Sequence, residues 1–188
     1  MRIIGGNKGR KRINPPKQLK LRPTTDRSKE ALFNILNNKY DYQGITALDL
    51  FSGTGNISYE LSSRGVKYVC AVESNQKSID FIKKFNKVND FNIQIIKMDV
   101  FKFLKKTDKK FNVIFADPPY HLKEDKYYTI INTIFDNKIL KSDGFLIVEH
   151  SSKIQLNNHF CFVENRKYGD SSFTFYEYAK NWLSVFYL

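Results

Sequence analysis

Four places in this chain offer hydrogen-bond acceptors, two of them on tight turns. The first is Asp117-Pro118-Pro119-Tyr120. Each proline lacks an N–H and holds φ at about −65°, and Pro119 pushes Pro118 into an extended conformation. The Asp117 carboxylate and the Pro118 carbonyl are therefore acceptors on a stiff turn, with the Tyr120 ring directly after them. That set suits a flat group presenting N–H donors. The second group is Asp49-Leu50-Phe51-Ser52-Gly53-Thr54-Gly55-Asn56. Gly53 and Gly55 let backbone approach a ligand closely and turn into a helix, whose first N–H groups favour negative charge. The remaining two are single carboxylates: Glu73, placed to accept from ribose hydroxyls, and Asp99.

Two cofactors compete for the first half of this set. Gly53-x-Gly55 with Glu73 some twenty residues on looks like a dinucleotide fingerprint, but Ser58 stands where the third glycine belongs. Asp49, just before the glycine loop, suits a positively charged amino-acid moiety better than a pyrophosphate. Together with Asp-Pro-Pro-Tyr it favours S-adenosylmethionine. His121, His150 and His159 are scattered, and no spacing of His or Cys suggests a metal.

The elements that must position these residues follow from hydrophobic pattern. Thr25 or Asp26 caps a helix with Ala31, Leu32, Ile35 and Leu36 on its apolar face, ending near Asn37-Asn38. Strands are predicted at 46–50, 67–73, 92–98, 111–116 and 145–149, with helices at about 55–63, 76–88, 100–105 and 127–135 between them. Repeating β-α units predict a doubly wound, mostly parallel sheet. Runs at 160–167 and 172–179 joined at Gly169-Asp170 predict a closing antiparallel hairpin, for seven strands in all. In such sheets ligands bind beyond the C-terminal strand ends, and all four groups fall there.

The charge is uneven. Of the net +12, the first 30 residues contribute +8, from ten basic and two acidic side chains. Clustering of this kind reads as a polyanion-binding arm, with Lys8, Arg10, Lys11 and Arg12 the expected phosphate contacts. The Lys105-Lys106 and Lys109-Lys110 pairs read as solvated loops. Three segments are expected: a basic nucleic-acid-binding extension at 1–23, a catalytic domain at 24–180 and a tail at 181–188. Cys70 and Cys161 lie in apolar runs and read as reduced core residues. No apolar run reaches membrane-spanning length. The expectation is a soluble, cytoplasmic monomer with no membrane contact.

Asp-Pro-Pro-Tyr resembles the signature of amino-group methyltransferases of the Rossmann-like class I fold. Four further blocks extend that likeness: Arg2-Ile3-Ile4-Gly5-Gly6, Arg22-Pro23-Thr24-Thr25-Asp26-Arg27 running into residues 30–36, Leu48 to Gly55, and Tyr168-Gly169-Asp170. Together these resemble the bacterial 16S rRNA guanine-N2 methyltransferase family, over nearly the whole chain up to about Lys180. The Arg-Pro-Thr-Thr-Asp-Arg block is the most specific part. Ser52, Thr54 and Asn56 depart from the family's usual small residues, and 181–188 matches nothing in it. The resemblance implies S-adenosylmethionine as cofactor and 16S rRNA, within the small subunit or an assembly intermediate, as partner. Asp49 with the Gly53 and Gly55 backbone would hold the methionine part, Glu73 the ribose, and Asp99 the adenine amino group, with Val100 against the ring. Arg22 and Thr24 would close over the methionine end. Asp117 and Pro118 would accept the guanine N2 hydrogens, and Tyr120 would stack on the base.

Three other functions compete with this one. An adenine-N6 methyltransferase shares Asp-Pro-Pro-Tyr, but 188 residues leave no room for a separate target-recognition region. A nicotinamide oxidoreductase needs the missing third glycine. A non-catalytic RNA-binding protein explains the arm but not acceptors at four strand ends.

Overall fold

The computed structural model describes residues 1–16, 19 and 25–179. Its elements in chain order are α1 (Asp26–Lys39), a 3-10 turn (Tyr42–Gly44), β1 (Thr46–Leu50), α2 (Asn56–Ser63), β2 (Tyr68–Glu73), α3 (Gln76–Asn89), β3 (Ile93–Lys97), α4 (Val100–Lys106), β4 (Phe111–Ala116), α5 (Glu124–Asp136), β5 (Leu140–Ser151), β6 (Phe162–Tyr168) and β7 (Ser171–Tyr176). The seven strands form one sheet in the order β3-β2-β1-β4-β5-β7-β6. β1 to β5 are parallel, while β7 runs antiparallel to both β5 and β6. This is the expected Rossmann-like arrangement, mostly parallel and closed by an antiparallel hairpin. Strand order reverses between β1 and β4, the position at which open α/β sheets leave a crevice.

Every residue of β4 is buried, as a central parallel strand covered on both faces requires. One face packs Leu32, Phe33, Tyr59, Ile82 and Phe115. The other packs Leu104, Ile130, Ile134, Ile114 and Tyr176. α1 begins where Thr25 Oγ1 accepts from Ser28 N at 3.1 Å, a side-chain cap for an otherwise orphaned donor. It buries Leu32, Phe33 and Leu36.

The basic N-terminal segment is folded onto this body. Residues 1–13 double back as a strap, with Ile3 N donating to Lys11 O at 2.9 Å and Ile13 N to Met1 O at 3.0 Å. Ile3 and Ile13 join the same core as α1. The strap turns where α2 and α3 end. There Asn7 N donates to Ser63 O at 2.8 Å, and Lys8 Nζ donates to Asn89 O at 2.5 Å and to Asp90 O. Gly6 is required at this turn, because its φ is +76° and a Cβ would lie 1.9 Å from Ser63 O.

A buried polar node locks the strap in place. Lys29 and Glu60 are both fully buried. Lys29 Nζ donates to Arg2 O at 2.5 Å and to Asn56 Oδ1 at 2.9 Å, and sits 3.4 Å from Glu60 Oε2. Glu60 also accepts from Ile4 N at 2.7 Å, Gly5 N at 2.8 Å and Arg64 Nε at 2.9 Å. Burial lowers the Lys29 pKa, and the Glu60 charge opposes that shift. Such a node is tolerated in a core only because its lone pairs and protons are taken up.

β5 starts earlier than its apolar run suggests. The polar stretch Lys141-Ser142-Asp143 continues the strand back to Leu140, which pairs with Phe111 across a register shift. α5 likewise starts at Glu124, where Glu124 and Asp125 occupy the first turn and complement the helix dipole.

Candidate active site

The C-terminal ends of β1, β2, β3 and β4 share one edge of the sheet. β1 and β4 are direct neighbours, with Leu50 paired to Ala116, and strands in a sheet lie about 4.8 Å apart. The residues that follow are therefore side by side: Phe51 opens the glycine loop, and Asp117 opens the proline turn. The bond from Asp117 N to Leu50 O, at 3.3 Å, ties the two together.

Asp49, near the end of β1, faces α2. Its Oδ2 accepts from Ser58 N at 3.0 Å and from Ser58 Oγ at 2.5 Å. Gly55, the N-cap of α2, has no side chain to cap with, so a strand carboxylate nine residues before Ser58 supplies the missing cap. Burial raises the Asp49 pKa to about 7; the Ser58 bonds pull against this and the Glu73 charge adds to it. No cation pairs with Asp49 among the described residues. A ligand bringing positive charge to the loop would relieve that burial.

Glu73 joins the loops after β1 and β2. Its Oε2 accepts from Gly53 N at 2.8 Å, and its Oε1 from Ser74 N at 2.8 Å and Asn75 N at 2.7 Å. Oε1 is used twice over, whereas Oε2 keeps acceptor capacity for a hydroxyl. Asp99 caps α4, with Oδ1 accepting from Lys102 N at 3.0 Å. Val100 is buried in the core of the α4–α5 face.

The loop between these acceptors is strained. Phe51 holds a φ of +58°, unusual for a non-glycine residue and of a kind that gathers at functional sites. Gly55 has φ +82°, and a Cβ there would meet the Tyr59 ring at 2.9 Å. Ser52 Oγ, Asn56 Nδ2 and Tyr59 Oη are buried without a hydrogen-bond partner. Buried polar atoms are nearly always satisfied, so three such atoms within eight residues of the described chain set this loop apart.

At the proline turn, Pro118 is buried and Asp117 half-buried. Tyr120 is 40% exposed, and its Oη lies 2.9 Å from Ser171 Oγ at the start of β7. Tyr127, buried below the turn, has its phenol pushed up to about 12, by burial first and then by the charges of Asp117, Tyr120 and Glu149. Acidic and aromatic side chains thus gather at the turn beside the glycine loop.

The structure brings Asp49, Gly53, Gly55, Glu73, Asp99, Asp117, Pro118 and Tyr120 to this edge. It does not bring Lys8 or Lys11 there. Lys11 Nζ donates to Asn89 Oδ1 at 2.7 Å and Lys8 Nζ lies 4.6 Å from the Phe91 ring centroid, at the opposite edge where α3 ends. Arg10 and Arg12 are exposed on the same strap. Arg22, Thr24 and the 181–188 tail lie outside the described residues. Sequence reasoning missed Ser58 and Ser171. Ser58 was visible only as a missing glycine, and Ser171 gave no signal because its partner is 51 positions away.

The family model described as conserved hypothetical protein 95 matches residues 1–177. The ribosomal RNA small subunit methyltransferase D of Buchnera aphidicola (subsp. Acyrthosiphon pisum) is 36% identical over 154 residues, covering 80% of this chain and 78% of the relative. A hypothetical protein of Thermus thermophilus superposes with a TM-score of 0.83 at 23% identity, over 94% of this chain and 99% of that one. A 16S rRNA N2 methyltransferase from the same organism, solved with AdoMet and guanosine, superposes with a TM-score of 0.66 at 20% identity, over 82% and 43% of the two chains. These two structures share the fold.

Proposed function

The chain belongs to the conserved hypothetical protein 95 family, and from that membership we propose that it methylates the exocyclic N2 of a guanine in 16S rRNA. The substrate is the small ribosomal subunit or an assembly intermediate, and the enzyme acts as a cytoplasmic monomer. The observation that carries amino-group methyl transfer is the Asp117-Pro118 acceptor turn, bonded to β1 at the sheet's switch point beside the glycine loop, and the choice of guanine rests on the resemblance of the N-terminal blocks.

S-adenosylmethionine is the cofactor, and it supplies a methyl group activated by a sulfonium. The residues present fit it. The buried, cation-free Asp49 and the orphaned atoms of residues 52–59 suit its charged methionine end. Glu73 Oε2 offers an acceptor for the ribose hydroxyls, and Asp99 keeps Oδ2 for the adenine amino group while Oδ1 caps α4.

The amino lone pair of guanine is delocalised into the ring and is a poor nucleophile. Asp117 and the Pro118 carbonyl accept the two N2 hydrogens and favour a pyramidal nitrogen, which localises the lone pair on the side facing the glycine loop. In-line positioning then supplies most of the acceleration, with the half-buried Asp117 carboxylate stabilising positive charge that develops on N2. The proton released passes to Asp117 or to water beside it. A base taken out of its stack needs a replacement surface, and Tyr120 provides one. Arg10 and Arg12 are the arm side chains best placed for phosphate contacts.

Replacing Asp117 tests this assignment. Asp117→Ala is expected to abolish methyl transfer to small-subunit RNA while calorimetry finds near-normal cofactor affinity. Loss of both together would mean that Asp117 serves the cofactor site or the fold instead.

A further inference from the structure

A groove of about 870 Å³, with Asp80 among its lining residues, runs between α3 and the residues Asn14, Pro16 and Leu19 that follow the strap. Pro16 and Leu19 form one wall, Phe81 and Phe85 the other, and Lys77 and Lys84 stand on the rim. The two rings stack at 5.9 Å between centroids, and Phe85 stacks in turn on Phe91 at 6.0 Å, under Lys8. Val88 borders the groove and is 74% exposed, an apolar surface that no described residue covers.

The charge of the groove points to its occupant. α3 exposes Lys77, Lys83, Lys84 and Lys87 against the single carboxylate Asp80, and Asp80 is already accepting from Gln76 Nε2 at 2.7 Å. A basic rim over an aromatic floor is the pattern used for unpaired nucleic acid, where bases stack and lysines meet phosphates. The volume also falls in the range of about 300–1,000 Å³ typical of small-ligand sites.

Position supports the same occupant. α3 leaves the catalytic edge directly after Glu73 and ends at the opposite edge, where Lys8 and Lys11 clasp its C-terminus. From Lys77 to Asn89 the helix rises about 18 Å. α3 thus offers RNA a basic flank that leads from the catalytic edge towards the strap that carries Arg10 and Arg12. We propose that the groove is a second contact surface for the substrate RNA, seating unpaired nucleobases against Phe81 and Phe85 while Lys77 and Lys84 hold the flanking phosphates. This rests on the rRNA reading above.

Binding, not catalysis, tests it. The probe is a fragment of naked 16S rRNA, titrated over a range of salt against wild-type protein, the Lys77→Gln/Lys84→Gln double variant and Phe81→Ala. The lysines are exposed, so their replacement leaves the fold intact, and S-adenosylmethionine affinity checks this for all three proteins. The double variant is expected to bind about tenfold more weakly, with a log–log salt slope shallower by about 1.4 for two single-strand phosphate contacts. Phe81→Ala is expected to lose about fivefold or more, whatever the base sequence. Ultraviolet crosslinking should attach RNA to the α3 peptide bearing Phe81. Unchanged affinity and slope in the lysine variant would overturn the proposal. So would normal binding of naked RNA with a raised KM on assembled particles, which would assign the groove to a ribosomal protein. Neither result touches the methyl-transfer reading, which falls if the wild-type protein forms no N2-methylguanosine in the rRNA.

Discussion

Replacing Asp49 separates what the fold needs from what the ligand needs. Burial holds its carboxyl at a pKa of about 7 against an ordinary 3.8. Between about pH 4 and pH 7 the folded chain therefore keeps a proton that the unfolded chain has released. Stability falls as pH rises across that window and levels off above it. At about 1.4 kcal/mol per unit, the two units from pH 5 to pH 7 remove about 3 kcal/mol through this one group. Asp49→Asn cannot ionise but still presents an oxygen to Ser58 N–H and O–H. Its stability should lack this 3 kcal/mol pH dependence and exceed that of the wild type at pH 8, even after losing about 1 kcal/mol of charge-assisted hydrogen bonding. Cofactor affinity should move the other way, because the cationic ligand loses the carboxylate that offsets its charge. Urea denaturation at pH 5 and pH 8, with calorimetric titration of S-adenosylmethionine, reads both effects. In the wild type below pH 7, binding should also release a proton. An identical pH dependence in the two proteins, or a variant less stable at pH 8 with unchanged affinity, would refute the reasoning.

Other perturbations follow from the same geometry. Lys29→Met leaves the buried Glu60 carboxylate short of a partner and should destabilise the protein by about 3–5 kcal/mol, measured by denaturation, with faster amide exchange at Ile3 to Gly5. Gly55→Ala forces a side chain into a left-handed φ and against the Tyr59 ring; it should weaken cofactor binding more than it lowers the melting temperature. Tyr120→Phe and Ser171→Ala each remove the 2.9 Å tie between ring and hairpin. If that tie aims the ring, each should lower kcat, and the double variant should do no worse than the single ones, with a coupling of about 1 kcal/mol.

Much of this is legible in the amino-acid sequence. β1 and β4 run over the residues predicted for them, because short apolar runs ended by a glycine loop or an Asp-Pro-Pro admit little shift. The acceptors fall at strand ends, and sheet topology then brings them together without further information. What the chain hid was long-range pairing. Arg2-Ile3-Ile4 reads at most as a short strand, and nothing local shows that Ile3 and Ile13 are buried together, which fastens the basic arm to the core. Removing the arm to test RNA binding would therefore also open the core, and replacing Arg10 and Arg12 is the cleaner experiment. Lys8 and Lys11 read as phosphate ligands, and no local signal shows that Lys8 also donates to the Asn89 and Asp90 carbonyls and Lys11 to Asn89 Oδ1. The start of β5 was hidden because Lys141, Ser142 and Asp143 are polar, and only pairing with β4 makes that stretch a strand.

The central claim is that the turn at Asp117 accepts the N2 hydrogens of a guanine. The most direct measurement incubates the protein with methyl-labelled S-adenosylmethionine and small-subunit particles lacking the modification, digests the RNA to nucleosides and identifies the labelled species by mass spectrometry. The account predicts N2-methylguanosine. Label in N6-methyladenosine would contradict it and give the same acceptors to an adenine, and particles that take up no label would contradict it outright.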